Sequence, residues 1–543
     1  MKTKLLSLLL ILLPLLVYSQ NYEKEGDDLF AQAQYEQAEK KYKAAIALVG
    51  ESQTIKQKQD KCTKCKNLLA KAQTAEKESR YNDAAKHYSS LYAIHALPKY
   101  KSKANAMKQK IQERLEKEEA ERRAGQERVL RESQTKRGGL VNNERWELYK
   151  DTLFIKGKGE INIAINVPQD YYRFIKWIKI SDGISKIGTN AFNNYVNLIS
   201  IEIPSSVTSI GDFAFFGCRE LTSVTIPNSV TSIGESAFQG CSGLTSVTIP
   251  NSVTNIEQDA FKGCSSLASV IISNSVTSIS KGAFCGCIMM TSVTIPNSIT
   301  SIGDGAFSGC RGLKSLTIGN SVINIGNRAF EGCSGLTSMT IPNSVKTIGN
   351  GAFFGCRRLT SVTIPNSVTN IGQNAFRGCI GMTSVIISNS VTSIGNGAFR
   401  ECKGLVSVTI GNSVTDIGEG TFSGCSGLVS VIIGNSVTDI GRDAFNGCIN
   451  LTSMSIPGNV TSIRQNAFGG CIGLTSVSIS NGVTSIGDEA FYYCTSLTTI
   501  IIPNSVTYIG KDAFLGCSNL NLTLPKRFKG KVVLPSCKKV KYY

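Results

Sequence analysis

Apolar positions in the second two-thirds of the chain recur with a period of 23 residues. A Phe stands at every period from Phe192 to Phe514, an Ile from Ile187 to Ile509, and a Cys at all fourteen positions from Cys218 to Cys517. Residues Ala214 to Ser236 give the template A-F-x-G-C-x-x-L-x-S-V-x-I-P-N-S-V-T-x-I-G-x-x. Within it Val224 and Ile226 alternate with Ser223 and Thr225, the pattern of a strand with its apolar side inward and its hydroxyls outward. Asn228 opens a turn, Val230 and Ile233 make a second inward step, and Gly234 breaks the chain direction. Ala237 and Phe238 are then expected in a short helical or 3-10 turn on the convex side. Each coil should bury about seven side chains against its neighbours, which is how a repeat solenoid is held together. At about 4.8 Å per rung, about fifteen coils predict a curved rod on the order of 70 Å long.

Residues 20–100 have a different texture, rich in Ala, Lys, Glu, Gln and Tyr and poor in Gly and Pro, which predicts helices. Tyr35, Ala38, Tyr42 and Ala45 follow Y-x-x-A-x-x-x-Y-x-x-A, and Tyr81, Ala84, Tyr88 and Leu91 repeat the spacing 46 residues later. This resembles the second helix of a tetratricopeptide hairpin, although that family's Gly is missing and its period is shorter; a generic amphipathic bundle is the alternative. Pro98 is expected to close the second unit. Residues 101–145 read as a charged helical spacer ended by Gly138-Gly139, with mixed charges at i, i+4 spacing and no apolar heptad to support a coiled coil. From Trp146 alternating strand patterns appear, and residues 146–180 are placed to cap the first rung of the solenoid over 181–525. Residues 526–543 carry seven Lys or Arg and no acid, and read as a solvated basic tail or a tether to an anionic envelope.

Lys2 and Lys4, the apolar run Leu5 to Val17 and Ser19 have the layout of a secretory signal peptide over residues 1–19, so an exported chain is expected. The run is short for a membrane span, and no later stretch is long and apolar enough. A net charge of +18 favours acidic partners without naming one.

The repeated unit A-F-x-G-C-x-x-L-x-S-V-x-I-P-N-S-V-T-x-I-G resembles the BspA-like leucine-rich repeats of bacterial surface proteins. Leu153, Ile155, Gly157 and Gly159 likewise resemble the L-x-I-x-G-x-G segment that leads such arrays. The resemblance implies a curved leucine-rich-repeat β-solenoid. The helical front half is not part of that pattern, and together they make the expected fold an α+β multidomain chain, tetratricopeptide-like hairpins and a long charged helix followed by the solenoid. The resemblance also implies a secreted or cell-surface binding protein that adheres to host matrix, glycans or other cells. It brings no catalytic residues. An envelope scaffold acting through the helical region is the alternative.

The Cys ladder looks like a disulfide framework in an exported chain. Equivalent residues on adjacent coils lie about 4.8 Å apart with parallel side chains, whereas a disulfide needs Cβ atoms about 3.5 to 4.5 Å apart, so buried free thiols are expected. Cys285 and Cys537 fall outside the column. Cys62 and Cys65 form one C-x-x-C with no second pair nearby, short of the four ligands of a zinc site. The two His residues, His87 and His95, both precede the repeats, so the solenoid holds no Ser-His-Asp or Cys-His pair. No enzyme, no cofactor, no metal and no nucleic-acid partner is therefore expected; the expected partners are surface proteins or glycans. The ligand is expected on the strand face, at Ser292, Thr294, Ser315, Thr317, Ser338, Thr340, Ser361 and Thr363. The rival surface is a basic patch of Arg357, Arg358, Arg377, Arg400 and Lys403 on the variable turn side.

Overall fold

The computed structural model describes residues 19–49, 53–133, 137–141, 144–161, 167, 169–532, 534 and 537–543; the signal-peptide segment, apart from Ser19, lies outside them. They fall into two compact units that divide between Arg128 and Val129. The first is helical: α1 (19–31), α2 (Tyr35–Val49), α3 (Gln53–Lys77), α4 (Tyr81–Ile94) and α5 (Pro98–Ser133). The Y-x-x-A motifs fall on α2 and α4, where Tyr35, Ala38, Tyr42, Ala45, Ala84, Tyr88 and Leu91 are all buried. Small Ala side chains let the helices approach, and the Tyr rings fill the space between them. Tyr42 and Tyr88 each keep a polar tip, donating to Asp27 and Glu76 at 2.8 and 2.7 Å.

Two boundaries differ from those read in the sequence. Pro98 opens α5 instead of closing the preceding unit, because the first helical position needs no N–H and suits the fixed φ of proline. Tyr100, Ala104 and Met107 of α5 are buried in the helical core, so the first turns of the supposed spacer belong to that core. Further along, α5 is exposed and carries pairs such as Arg114 with Glu118 at 3.0 Å. The spacer also ends early. The chain is already in strands at β1 (Arg137–Val141) and β2 (Glu144–Tyr149), which form an antiparallel ribbon with β3 (Thr152–Lys156).

β3 pairs in parallel with Trp177–Ile180, and from there every coil repeats the same two steps. Its longer strand, such as Ser246–Thr248, pairs with Ser223–Val224 before it and Ser269–Ile271 after it. Its second apolar step, such as Asn255–Ile256, is also a strand and forms a second parallel ladder along the solenoid. The two ladders enclose one core. In one coil Ala237, Phe238, Cys241, Leu244, Val247, Ile249, Val253 and Ile256 are all buried. Successive Phe rings stack almost parallel, as Phe238 on Phe261 with centroids 5.2 Å apart.

The Ala-Phe segment is a chain of turns and not the helical or 3-10 turn expected. Ala237 N–H donates back to Gly234 O at 3.3 Å, but Phe238 N–H donates to Ala260 O of the next coil at 2.8 Å. Alternate amides are thus satisfied by the neighbouring coil, which leaves no continuous internal ladder for a helix. Gly240 then takes φ +76°, a left-handed conformation in which Gly carries no Cβ penalty.

The basic tail is not a solvated extension. Phe528 is buried, and Lys539–Tyr542 adds a parallel strand to Asn521–Leu524. Tyr543 Oη donates to Ile502 O at 2.8 Å. The last coil presents an open sheet edge and an apolar rung, and this segment covers both while its lysines stay in water.

Candidate binding surfaces

The solenoid uses most of its Ser and Thr columns internally. Thr245 Oγ1 donates to Thr222 O at 3.2 Å, Thr231 Oγ1 to Thr208 O at 3.1 Å and Ser229 Oγ to Val207 O at 2.6 Å, each one coil back. Those hydroxyls are held by the repeat. The strand-face columns are different. Ser292, Ser315, Ser338 and Ser361 lie in one register across paired strands, with Thr294 opposite Thr317, and Thr340 and Thr363 continue that row. All eight are exposed, and among the described residues none of their side chains makes a hydrogen bond within the protein. The structure therefore brings the eight predicted residues together as two rows of free hydroxyls.

The same sheet changes character over the next three coils. Ile386, Thr409 and Ile432 continue the Thr row, and the two Ile side chains are 65% and 64% exposed. Val406 and Val429, each immediately before one of these strands, are 48% and 39% exposed. These four aliphatic side chains form an apolar patch in register with the hydroxyl rows. Sequence reasoning missed it. The signal lay in the outward column, where Ile replaces Thr, and in the position after the conserved Leu, where Val replaces Thr.

The five-residue basic patch does not form as one unit. Arg377 Nη2 and Arg400 Nε both meet Glu401 Oε1, at 3.0 and 3.4 Å, so these two cations share one carboxylate. Arg357, Arg358 and Lys403 are exposed and have no ion pair among the described residues. Arg357 and Arg358 line an open groove of about 700 Å³ with Arg311 and Phe354. The Arg377 guanidinium lies 5.7 Å from the centroid of the Phe354 ring.

All eighteen cysteines are free. The ladder thiols are buried, and each donates to the carbonyl of a Phe, as Cys241 Sγ does to Phe215 O at 3.1 Å. Burial pushes the Cys356 thiol up to about 12. Cys62 and Cys65 are buried in α3, and Cys62 Sγ donates to Tyr35 O at 2.9 Å. His95 stacks on Phe30 with centroids 4.2 Å apart and shares a 2.8 Å hydrogen bond with Tyr35 Oη; burial lowers its pKa. Among the described residues no three His, Cys, Asp or Glu cluster as a metal site would require, and no helix is long and apolar enough to cross a membrane.

The stacked 23-residue coils, their two parallel ladders and the Leu, Val and Ile at L-x-x-V-x-I define a leucine-rich-repeat solenoid. Comparison narrows the class. The model of the BspA type leucine rich repeat region, six copies, matches residues 170–291, 277–406 and 392–521, and the chain belongs to that family. A leucine-rich repeat protein from Bacteroides ovatus is 30% identical with a TM-score of 0.60, the match covering 75% of this chain and 99% of that one. A leucine rich cell surface protein from Faecalibacterium prausnitzii is 29% identical over 63% of this chain and 94% of that one, with a TM-score of 0.37. No curated protein matches the sequence.

Proposed function

We propose that the chain is an exported, non-catalytic binding protein of the cell surface, and that the strand face of its solenoid holds an extended segment of a surface or matrix protein. The observation that carries this reading is the juxtaposition on one sheet of free hydroxyl rows, Ser292 to Thr363, with the apolar patch of Ile386, Val406, Val429 and Ile432. Regularly spaced donors and acceptors suit a strand-like backbone, and the patch gives such a segment an anchor that excludes water. Few charges stand on this face, so binding depends little on salt. A surface location is supported by the signal-peptide pattern and by the family.

The test is adhesion of the labelled chain to intact host cells and to immobilised extracellular matrix. Replacing Thr317, Thr340 and Thr363 together with Glu, or Ile386 and Ile432 with Ser, should weaken adhesion by about tenfold or more. Raising the salt from about one Debye regime to the next, roughly 0.1 to 0.5 M, should leave the parent chain attached. Unchanged adhesion of both variants would remove the strand face as the binding surface.

A further inference from the structure

The segment after the repeat's Ala-Phe turn carries an unusual construction at three consecutive coils. Twelve of the fourteen ladder cysteines are preceded by Gly, in the left-handed backbone conformation; Glu401 and Tyr493 are the exceptions. Glu401 keeps φ +60°, which a side chain adopts only at a cost. Its carboxylate takes Arg377 Nη2 at 3.0 Å, and Arg377 in turn lies over the Phe354 ring at 5.7 Å. Arg377 Nε is buried without a partner among the described residues. A strained acid thus holds a guanidinium over a partly exposed aromatic ring. Phe354 stands in a column that is mostly polar, with residues such as Ser308, Glu331, Arg400 and Ser423, the other large apolar members being Phe216, Tyr492 and Leu515.

Two depressions meet at Phe354. The larger, about 700 Å³, is lined by Arg311, Arg357 and Arg358, with glycines between them that leave the backbone open. Among the described residues no carboxylate pairs with these three arginines. The second, about 440 Å³, is lined by amides including Asn350 and Gln373. Asn350 Oδ1 is occupied by Gln373 N–H at 2.7 Å, which leaves its Nδ2 and the Gln373 side chain as outward polar groups. Glu331, also at this depression, is taken up by Arg328 at 3.8 Å. An apolar ring, a fork of guanidinium groups on one side and primary amides on the other match the three faces of an acidic sugar. The ring takes the C–H face of a pyranose, the arginines take a planar carboxylate in bidentate fashion, and the amides take vicinal hydroxyls.

We propose that Phe354, Arg311, Arg357 and Arg358 form a binding site for uronic-acid-containing oligosaccharides on the turn side of the solenoid, with Glu401 as a positioning residue that fixes Arg377 on Phe354. This site is separate from the strand face and does not depend on its ligand. A carboxylate sugar fits better than an acidic peptide because the amide side offers donors and acceptors alongside the apolar ring.

The repeats supply substitutions that the fold already accepts. Ser stands in the Phe354 column at Ser308 and Ser423, Ser in the Arg357 column at Ser334 and Ser426, and Gly in the Arg358 column at Gly335 and Gly381. Calorimetric titration of the full chain with tetragalacturonate is expected to show saturable binding. Both F354S and the double variant R357S/R358G should weaken it by about tenfold or more. E401G, which restores the repeat's Gly, should raise the melting temperature while weakening binding, an opposition that a merely structural role for Glu401 would not produce. The strand-face variant with Glu at 317, 340 and 363 should bind the sugar like the parent chain. The proposal is overturned if tetragalacturonate gives no binding, if F354S leaves its affinity within about twofold, or if uncharged cellotetraose binds as tightly. Equal or tighter binding of a carrageenan tetrasaccharide, which carries sulfate and no uronate, would overturn the carboxylate assignment in favour of sulfate.

Discussion

At the scale of single residues, the ladder cysteines show how one atom serves two purposes. Each sulfur fills a small apolar space, as expected of a buried thiol, and its S–H also donates to a Phe carbonyl of the preceding coil, which accepts a backbone N–H within its own turn as well: Phe238 O takes Cys264 Sγ at 3.2 Å and Cys241 N–H at 3.2 Å. Burial disfavours the thiolate, so Cys356, Cys402 and Cys471 are pushed up to about 12 from an ordinary 9.0. The folded state therefore keeps these protons where the unfolded chain begins to lose them. Their stabilising contribution is complete below pH 9 and falls as pH rises from there toward 12, at about 1.4 kcal/mol per pH unit for each thiol. Cys356→Ala should thus start less stable and lose stability more gently above pH 9, as read from urea midpoints between pH 8 and 10.5. Parallel losses in the two proteins would contradict the burial argument. Alkylation at pH 8 should modify at most Cys285 and Cys537 in the native chain, both only partly buried, and all eighteen after denaturation.

At the scale of the element, the coil is stabilised mainly by its neighbours. Phe353 is fully buried between Phe330 and Phe376, with ring centroids 5.3 and 5.2 Å away. Phe353→Ala removes a ring from a stack that cannot close over the gap, because the coil spacing is fixed by two parallel ladders on either side. A cost of about 3 to 5 kcal/mol is expected. Since each coil touches only the next, the loss should appear in hydrogen exchange first at the coils of Phe330, Phe353 and Phe376 and spread outward from them. Uniform loss of protection along the array would refute that. The first strand of the coil was legible from Ser223, Val224, Thr225 and Ile226, because alternation over four residues is a direct image of the pleat. The second strand was not, since two residues such as Asn255 and Ile256 show no alternation and become a strand only through identical copies on both sides. The Ala-Phe turns were misread for a related reason: their amides pair with the next coil, and a partner 23 residues away leaves no mark in the local sequence.

The same distinction between local and distant partners governs the strand face. Ser223 and Ser229 look alike in the sequence, yet Ser229 is bound into the repeat while the strand-face column stays free. Repetition alone therefore did not separate structural hydroxyls from available ones. The position of the basic patch was legible, but not its division. Glu401 reads as one more variable residue until its side chain is seen to hold both Arg377 and Arg400.

At the scale of the whole molecule, the chain joins two units whose cores differ in kind. Among the described residues the helical core has sixteen buried hydrophobic side chains, seven of them Ala, and shares none with the solenoid core. Alanine lets helices approach but contributes little apolar area, so much of this unit's cohesion rests on Tyr35, Tyr42, Tyr88 and Tyr100. The solenoid instead repeats a set of large aliphatic and aromatic side chains at every coil, closed at its C-terminal end by the strand Lys539–Tyr542. Separate cores of unequal apolar content predict two thermal transitions instead of one. The helical signal at 222 nm should be lost at the lower temperature, and calorimetry should resolve a second, larger peak from the solenoid. Two variants assign the peaks. Tyr88→Ala, which also removes the 2.7 Å hydrogen bond to Glu76, should lower only the first, and Phe353→Ala only the second. A single transition shifted by both variants would show that the two cores unfold as one.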